Sequence, residues 1–205
     1  MPNWMESEVQ ITGPVDEIAR FRVTHIRQDE HGDEELDFET IIPMPPELKD
    51  TEAGSSDPYV WALGGELYAS RNLLLQLGLR PAGATPLDWR WVRDLGITSR
   101  EGLLHWAKEN RPNELVVAKR AMDSERATGY RDWYDWRCDN WGCKWGCSEF
   151  AWRNDDQTAF YMMTPWSAPV PIFEKLVELF PTLTFACRFV EEGMAIDERE
   201  TYYAA

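Results

Sequence analysis

One tryptophan-rich segment separates helix-forming from strand-forming sequence in this chain, Gly129-Tyr-Arg-Asp-Trp-Tyr-Asp-Trp-Arg-Cys-Asp-Asn-Trp-Gly-Cys-Lys-Trp-Gly146. It contains four of the 11 tryptophans of a 205-residue chain. A large aromatic side chain buries roughly 150–250 Å² when it packs. The segment therefore predicts either a fixed aromatic cluster or a binding surface.

The sequence after this segment predicts a hairpin, a helix and a final strand. Residues 147–153 and 158–164 have strand-forming composition and flank a polar turn, which predicts the hairpin. Ser167 is predicted to cap a helix that Pro181 ends. Its expected buried residues are Ile172, Phe173, Leu176, Val177 and Phe180. Residues 183–189 alternate as a strand, and residues 194–203 are a candidate edge strand.

The sequence before the segment predicts a strand, a helix and then a helical block. Residues 8–12 alternate as a strand, and a helix starting at Val15 has an apolar stripe. The stripe consists of Val15, Ile18, Ala19, Val23 and Ile26. Prolines predict an extended segment over residues 38–46. Helical patterns occupy residues 59–77, 87–95, 99–110 and 114–128, with Thr98 and Glu101 as a capping box and Pro112 and Gly129 as boundaries.

Without the helical block, the order of elements is β-α-β-β-α-β. This order predicts an α+β fold of the ferredoxin-like type, an antiparallel sheet with two helices on one face. The polar residues 49–58 mark a boundary. We therefore expect a ferredoxin-like domain of residues 1–52 plus 140–205, interrupted by an all-helical insertion at residues 53–139. The tryptophans are expected to pack this insertion onto the sheet.

The charge of the chain is strongly negative and unevenly distributed. There are 36 acidic and 21 basic residues, a formal net charge of −15, and residues 1–57 hold 15 acidic and 4 basic residues. Such a field repels nucleic-acid phosphates and favours a basic partner. The acidic run at residues 29–39 predicts a solvated loop, and its spacing does not match a calcium loop. Its candidate partner-binding residues are Asp29, Glu30, Asp33, Glu34, Glu35 and Asp37.

No pattern in the sequence predicts catalysis, a metal or a cofactor. Nucleophile-elbow, phosphate-loop and dinucleotide-binding motifs are absent. Cys138, Cys143 and Cys147 lack the paired spacing of structural zinc sites, so free thiols are expected. The sequence has neither an apolar run of ~20 residues for a membrane span nor a signal peptide. Together with reduced cysteines, these features predict a cytoplasmic protein.

The tryptophans of the segment have two interpretations. Most of them are expected to pack in the core, with Lys144 stacked on a neighbouring ring or paired with Asp135. One or two are candidate partner-binding anchors, because tryptophan is common in interface hot spots. The candidates are Trp133, Trp136, Trp141 and Trp145. Stacking on single-stranded bases is disfavoured by the net charge.

Five groups of residues resemble a known family. They are Met1-Pro2-Asn3-Trp4, Asp37-Phe38 with Ile41-Ile42-Pro43-Met44-Pro45, Asp132-Trp-Tyr-Asp-Trp136, Asn140-Trp-Gly-Cys-Lys-Trp145 and Thr164-Pro-Trp-Ser-Ala-Pro169. In these groups the chain resembles the Api92-like family, small proteins of unknown function from phages, prophages and plasmids with a ferredoxin-like domain. Residues 53–128 lie outside the resemblance. It implies a bacterial host cell and supplies no catalytic residues.

Charge and resemblance together lead to one principal hypothesis. The chain is expected to be a non-catalytic protein-binding accessory factor of a phage or plasmid, whose partner is a host protein or complex with a basic surface. In its specific form it is an acidic, DNA-mimicking inhibitor of a host defence complex. The alternative is an enzyme or small-ligand-binding module with an aromatic pocket between sheet and helical insertion. A self-assembling structural protein is the third hypothesis.

Overall fold

The structure is a computed structural model that describes residues 3–28, 31–54, 57–67, 84–193 and 196–204. The chain divides into two compact units, which we call the sheet unit (residues 1–44 and 136–205) and the helical unit (residues 45–135). The domain boundaries expected from the sequence, at 52/53 and 139/140, stay a prediction. Every helix within the described ranges is too short or too polar to span a bilayer.

The described elements are strands in the sheet unit and helices in both units. The strands are β1 (Trp4–Thr12), β2 (Ile26–Gln28), β3 (Glu34–Leu36), β4 (Ser148–Trp152), β5 (Ala159–Pro165), β6 (Thr184–Glu191) and β7 (Asp197–Tyr202). The helices are α1 (Val15–His25), α2 (Phe38–Ile41), α3 (Asp57–Ala62), α4 (Arg90–Asp94), α5 (Arg100–Asn110), α6 (Pro112–Thr128), α7 (Trp133–Asn140) and α8 (Val170–Leu179). Two short 3-10 turns lie at Pro46–Leu48 and Pro86–Asp88.

Five strands form one antiparallel sheet in the order β4-β5-β1-β6-β7. In the central strand β1, Val9 lies opposite Phe160 of β5 and Cys187 of β6. Alternation along β1 and β6 places apolar residues on one buried face, because successive side chains point to opposite sides of a strand. These residues include Met5, Val9, Ile11, Phe185, Cys187 and Phe189. The predicted hairpin, final strand and edge strand are confirmed over the described residues.

Both long helices of the sheet unit pack against that buried face. The ring of Phe21 in α1 lies 5.6 Å from Phe185, and the ring of Phe173 in α8 lies 6.2 Å from the same ring. The expected buried residues Ile172, Phe173, Leu176 and Phe180 are buried, and Val177 is half-buried. The result is a mixed α and β structure with an antiparallel sheet and helices on one face.

The apolar stripe predicted for α1 is wrong, except for Ile18, which is buried, and Ile26, which is half-buried. Val15 is 83% exposed and Val23 is 76% exposed, whereas Ile18, Phe21 and His25 are buried. At about 100° per residue, the buried face is rotated by roughly a quarter turn from the predicted one. Aromatic rings remove more surface from water than valines do, so the rings of α1 face the sheet.

Three other local predictions are corrected by hydrogen bonds. Residues 38–41 form the single helical turn α2, because the Asp37 carboxylate accepts from the Glu39 N–H at 3.0 Å. Residues 26–28 and 34–36 form a two-stranded sheet where a loop was expected. Ser167 does not cap α8, since its hydroxyl donates to the carbonyl of Gly142. The helix begins after Pro169 instead.

The helical unit contains α3 to α6, as the sequence predicted in outline. Pro112 occupies the first turn of α6, and Gly129 ends that helix in the left-handed conformation with φ of 83°. The capping box predicted at Thr98 is wrong, because the Ser99 hydroxyl accepts from the Gly102 N–H at 3.0 Å. Small buried clusters join the helices, one of them formed by Ala62, Val92 and Leu103. Residues 68–77 of the predicted helix 59–77 lie outside the described residues.

Candidate functional site

Three of the predicted acidic residues line a cleft in the sheet unit. Asp33, Glu34 and Glu35 come from the hairpin of β2 and β3, and Glu149 comes from β4. The cleft has a volume of about 520 Å³, and its remaining lining is Gly32, Cys147, Ser148 and Phe150. We call it the acidic cleft. It brings together four carboxylates from two segments that are more than a hundred residues apart.

Local structure explains how each wall of the acidic cleft is placed. In the hairpin, Leu36 pairs with Ile26 and is 1% exposed, so it anchors the strand that carries the acids. Arg27 lies opposite Glu35, a favourable pair of charges across the ladder. On the other wall, the β4–β5 register shifts between Ser148 and Ala151. Glu149 lies in this irregular stretch with φ of 50°.

Of the other predicted acids, only Asp37 is among the described residues, and it lies outside the lining of the cleft. Asp37 caps α2, and Asp29 and Glu30 lie outside the described residues. Within the cleft, the Glu34 carboxylate accepts a hydrogen bond from the Trp152 indole at 3.0 Å. Glu34 is therefore held by the protein as well as presented to solvent.

Trp136 and Trp141 are core residues of the sheet unit. They are 6% and 2% exposed, and their rings lie 5.8 Å apart. The Trp141 ring also lies 5.8 Å from Phe38, and its indole N–H donates to the Ile42 carbonyl at 2.9 Å. The tryptophan-rich segment thus packs against the segment that follows the acidic hairpin.

The other two candidate tryptophans, Trp133 and Trp145, belong to different units. Trp145 is half-buried in the sheet unit, and the Lys144 ammonium lies 5.1 Å from its ring centroid, which confirms the predicted stacking. Trp133 belongs to the helical unit, where its backbone N–H donates to the Thr51 hydroxyl at 2.9 Å. The expected packing of the helical insertion onto the sheet stays a prediction.

Two buried thiols of the sheet unit are held in their protonated form. The four cysteines, Cys138, Cys143, Cys147 and Cys187, form no disulfide bond. Burial raises the pKa of Cys143 to about 12 and the pKa of Cys147 to about 12, so both stay protonated at neutral pH. Within the described ranges, no group of three or more His, Cys, Asp or Glu is placed to hold a metal ion.

A second cavity, of about 630 Å³, lies along β1, β5, β6 and β7. Its lining includes Glu8, Gln10, Arg153, Arg188, Arg199 and Glu200. Arg188 donates to both carboxylate oxygens of Asp197 at 2.9 and 3.0 Å, and to Glu8 at 3.4 Å. These bonds raise the pKa of Arg188 and neutralise much of its charge. We call this cavity the sheet cavity.

Two residues of interest were missed in the sequence. Glu149 has no local signal, because only the fold places it beside Asp33 and Glu35. Trp166 belongs to the Thr164–Pro169 group, yet its own geometry was not predictable. It is 53% exposed and has a φ of 73°.

Comparison with known proteins gives one similarity. No protein-family model and no curated protein matches this chain. Among solved structures, it is similar to the crystal structure of a protein api92 from Yersinia pseudotuberculosis. The Yersinia protein is assigned to the family model DUF1281. The alignment covers 99% of this chain and 95% of that chain, at 13% identity and a TM-score of 0.38. A similarity at this level carries no argument about function.

Proposed function

We propose that this chain is a non-catalytic protein-binding factor whose acidic cleft receives a basic surface of a partner protein. The observation that carries the proposal is the convergence of Asp33, Glu34, Glu35 and Glu149 on one cleft of about 520 Å³. The net charge of −15 adds a long-range field of the same sign. Such fields raise association rates with oppositely charged partners and are weakened by salt.

Parts of the acidic cleft are preorganised for binding, because core packing and a hydrogen bond hold them in place. Leu36 and Phe38 are 1% and 2% exposed, so the end of β3 that leads into α2 is anchored in the core. The Glu34–Trp152 hydrogen bond restrains one carboxylate further. Groups that are held before binding lose less conformational entropy when the partner arrives.

Affinity purification from bacterial lysate tests the proposal. We expect the chain to retain basic proteins at low salt and to release them at high salt. The double substitution Glu35→Gln and Glu149→Gln is expected to reduce retention. The matched control, Asp155→Asn with Asp156→Asn, removes the same charge from the exposed β4–β5 turn. Equal retention by both double variants would contradict a role for the cleft.

The specific form of the proposal is that the carboxylates imitate the phosphates of DNA. In that case duplex DNA competes for the same partner, because both occupy one basic channel. We base the proposed setting in a phage or plasmid on the family resemblance, and the proposed inhibition of a host defence complex on the acidic surface together with that resemblance. A partner that binds this chain and DNA simultaneously would contradict the mimicry.

We also infer that the sheet unit has the ferredoxin-like arrangement. The order β4-β5-β1-β6, with α1 after β1 and α8 after β5, supports this inference. In this interpretation β7 is an added edge strand. An experimental structure with a different order of these four strands would contradict it.

Binding of a small anionic ligand is the second candidate function, favoured by the sheet cavity. Arg153 and Arg199 line this cavity together with Ala159 and Ala186, whereas the charge of Arg188 is largely neutralised by Asp197 and Glu8. A thermal-shift screen with small carboxylates and phosphates tests this role, with Arg153→Gln as the variant expected to lose any effect. The aromatic pocket predicted between sheet and insertion stays a prediction.

A further inference from the structure

Trp166 combines an exposed ring with a backbone conformation that tryptophan rarely adopts. The residue is 53% exposed, and its φ of 73° lies in the left-handed region. That region is unfavourable for a residue with a bulky side chain. Exposing a large aromatic ring forgoes the stabilisation that its burial would provide. Neither feature stabilises the fold, so both require another explanation.

The backbone around Trp166 is held in place by hydrogen bonds from several segments. The Trp166 N–H donates to the Asn3 carbonyl at 2.9 Å. The Thr164 hydroxyl donates to the Ser167 carbonyl at 2.8 Å, and the Ser167 hydroxyl donates to the Gly142 carbonyl. Strained residues persist when their surroundings over-determine them, and such residues cluster at binding sites.

Asn3, whose carbonyl accepts the hydrogen bond from the Trp166 N–H, connects this residue to aromatic and acidic side chains. Next to Asn3 in the chain, the Trp4 ring lies 6.4 Å from Trp145. The Asn3 amide donates to the Glu191 carboxylate at 3.1 Å, and the Trp4 N–H donates to Glu192 at 3.4 Å. We call Trp4, Trp145, Trp166, Glu191 and Glu192 the Trp166 patch.

The rings of this patch differ in whether a cationic side chain lies over them. Lys144 already lies over Trp145. In the described part of the chain, by contrast, no cation or aromatic ring lies over Trp166. Elsewhere in the sheet unit, Arg137 lies 4.6 Å above Trp141 and Arg22 lies 5.6 Å above Trp152. The Trp166 ring is thus available for a contact that other rings of this unit make internally.

We propose that the Trp166 patch is a docking site for an arginine-bearing segment of a partner protein. A guanidinium group stacks on the indole face while its N–H groups reach carboxylate oxygens, a combination that suits arginine better than lysine. Glu191 and Glu192 supply the complementary charge. The choice of a basic occupant rests on the proposed function, but the patch shares no residue with the acidic cleft.

A peptide titration of the full chain tests this docking site. The probe is a fluorescein-labelled peptide of Arg-Gly-Gly repeats, and the matched control peptide has citrulline, the neutral analogue, at every arginine. With 5-fluorotryptophan in all 11 positions, the fluorine signal of Trp166 is assigned by its loss in Trp166→Phe. We expect this signal to shift with the arginine peptide only. An unchanged signal at saturation, or an equal effect of a lysine peptide, would overturn the proposal.

Trp166→Gly separates binding from folding. Glycine tolerates a positive φ, so the thermal midpoint is expected to stay or rise, while affinity for the arginine peptide falls roughly fivefold. Tyr203→Gly, at an exposed aromatic outside the patch, is expected to leave affinity unchanged. A lower midpoint with unchanged affinity would make Trp166 structural and overturn the proposal. The fluorine measurement uses the natural sequence and does not depend on how this variant folds.

The same titration distinguishes this proposal from the acidic cleft. Loss of affinity in Glu35→Gln with Glu149→Gln, but not in Trp166→Gly, supports the cleft and overturns the Trp166 patch. The opposite result supports the Trp166 patch and contradicts the cleft. Unchanged affinity in both variants overturns both.

Discussion

The Nδ1 atom of His25 and the hydroxyl oxygen of Thr40 lie 2.8 Å apart, and the surroundings determine which group donates. The Thr40 hydroxyl gives its proton to the Asp37 carbonyl at 2.7 Å, so it accepts from the His25 Nδ1–H. His25 is 2% exposed and packs against the rings of Phe21 and Phe180. Burial, with a smaller contribution from the charge of Arg27, lowers the pKa of His25 to about 4.

Because the pKa of His25 is lowered, we expect the protein to lose stability in mild acid. Its folded pKa of about 4 lies below the unfolded value of about 6.5, so its contribution is complete above pH 6.5 and is lost as the pH falls toward 4. Between pH 7.5 and 5.5 we expect the free energy of unfolding to fall by about 1 kcal/mol from this group. Urea unfolding at the two pH values measures the change.

Two histidine variants control this experiment. His25→Gln is expected to flatten the dependence between those pH values. His105→Gln, at a side chain that is 77% exposed, is expected to leave it unchanged. The same slope in all three proteins would contradict the assignment to His25.

We expect the core position of Ser7 to tolerate loss of its hydroxyl group. It is fully buried in β1, and its hydroxyl has no hydrogen-bond partner among the described residues. Ser7→Ala is therefore expected to leave stability unchanged or raise it by up to about 1 kcal/mol. Thr164→Val removes an equally buried hydroxyl that does donate, to Ser167, and is expected to cost about 1–2 kcal/mol. Urea unfolding compares the two, and a larger loss in Ser7→Ala would contradict the prediction.

We expect substitution of Arg131 to cause a large loss of stability in the helical unit. Its side chain is 6% exposed and contacts Asp57 at 3.1 Å and Glu125 at 2.9 Å. It also donates to the Glu66 carbonyl at 2.7 Å. Arg131→Met leaves these acceptors without their donor, and we expect a loss of about 2–4 kcal/mol because the carboxylates are partly solvated.

Thermal unfolding followed by helical circular dichroism measures this loss. The control Arg126→Met breaks an exposed pair with Asp123 and is expected to change stability by less than about 0.5 kcal/mol. Arg131→Lys is not expected to restore stability, since an ammonium cannot reproduce the guanidinium fork. Equal losses in the two methionine variants would show that burial of Arg131 is unimportant.

Gly142 and Gly129 form a matched pair for testing close packing. Both have a positive φ, 79° and 83°. An added Cβ at Gly142 would lie 2.9 Å from the Ala168 carbonyl oxygen and 2.9 Å from Pro171, whereas nothing lies within 4 Å at Gly129. Gly129→Ala is expected to cost about 1 kcal/mol from backbone strain alone. Gly142→Ala is expected to cost about 1–3 kcal/mol more, and equal costs in urea unfolding would contradict the close contact.

Features that depend on residues close together in the sequence were predictable. The alternation of Leu183, Phe185, Cys187 and Phe189 identified β6 because strand faces alternate every residue. Pro112 and Gly129 identified the ends of α6, since proline suits a first turn and glycine the left-handed position that ends a helix.

Choices among neighbouring residues were less predictable. The sequence of α1 contains two overlapping apolar stripes, and only the sheet selects the one with Phe21 and His25. The residue that caps α5 is Ser99, one position after the predicted Thr98. Local propensity differs little between such alternatives, so contacts outside the helix decide between them.

Local sequence was sufficient for most strands and helices and for the negative charge, but it did not distinguish the buried Trp136 and Trp141 from the other candidate tryptophans. Tertiary structure decided the strand order, the position of Glu149 beside the acidic hairpin, the pairing of Arg131 with Asp57, and the exposure of Trp166. The physical reason is the range of the interactions. Periodicity and capping act over a few residues, whereas each of these arrangements joins residues from separate segments and exists only once the chain has packed.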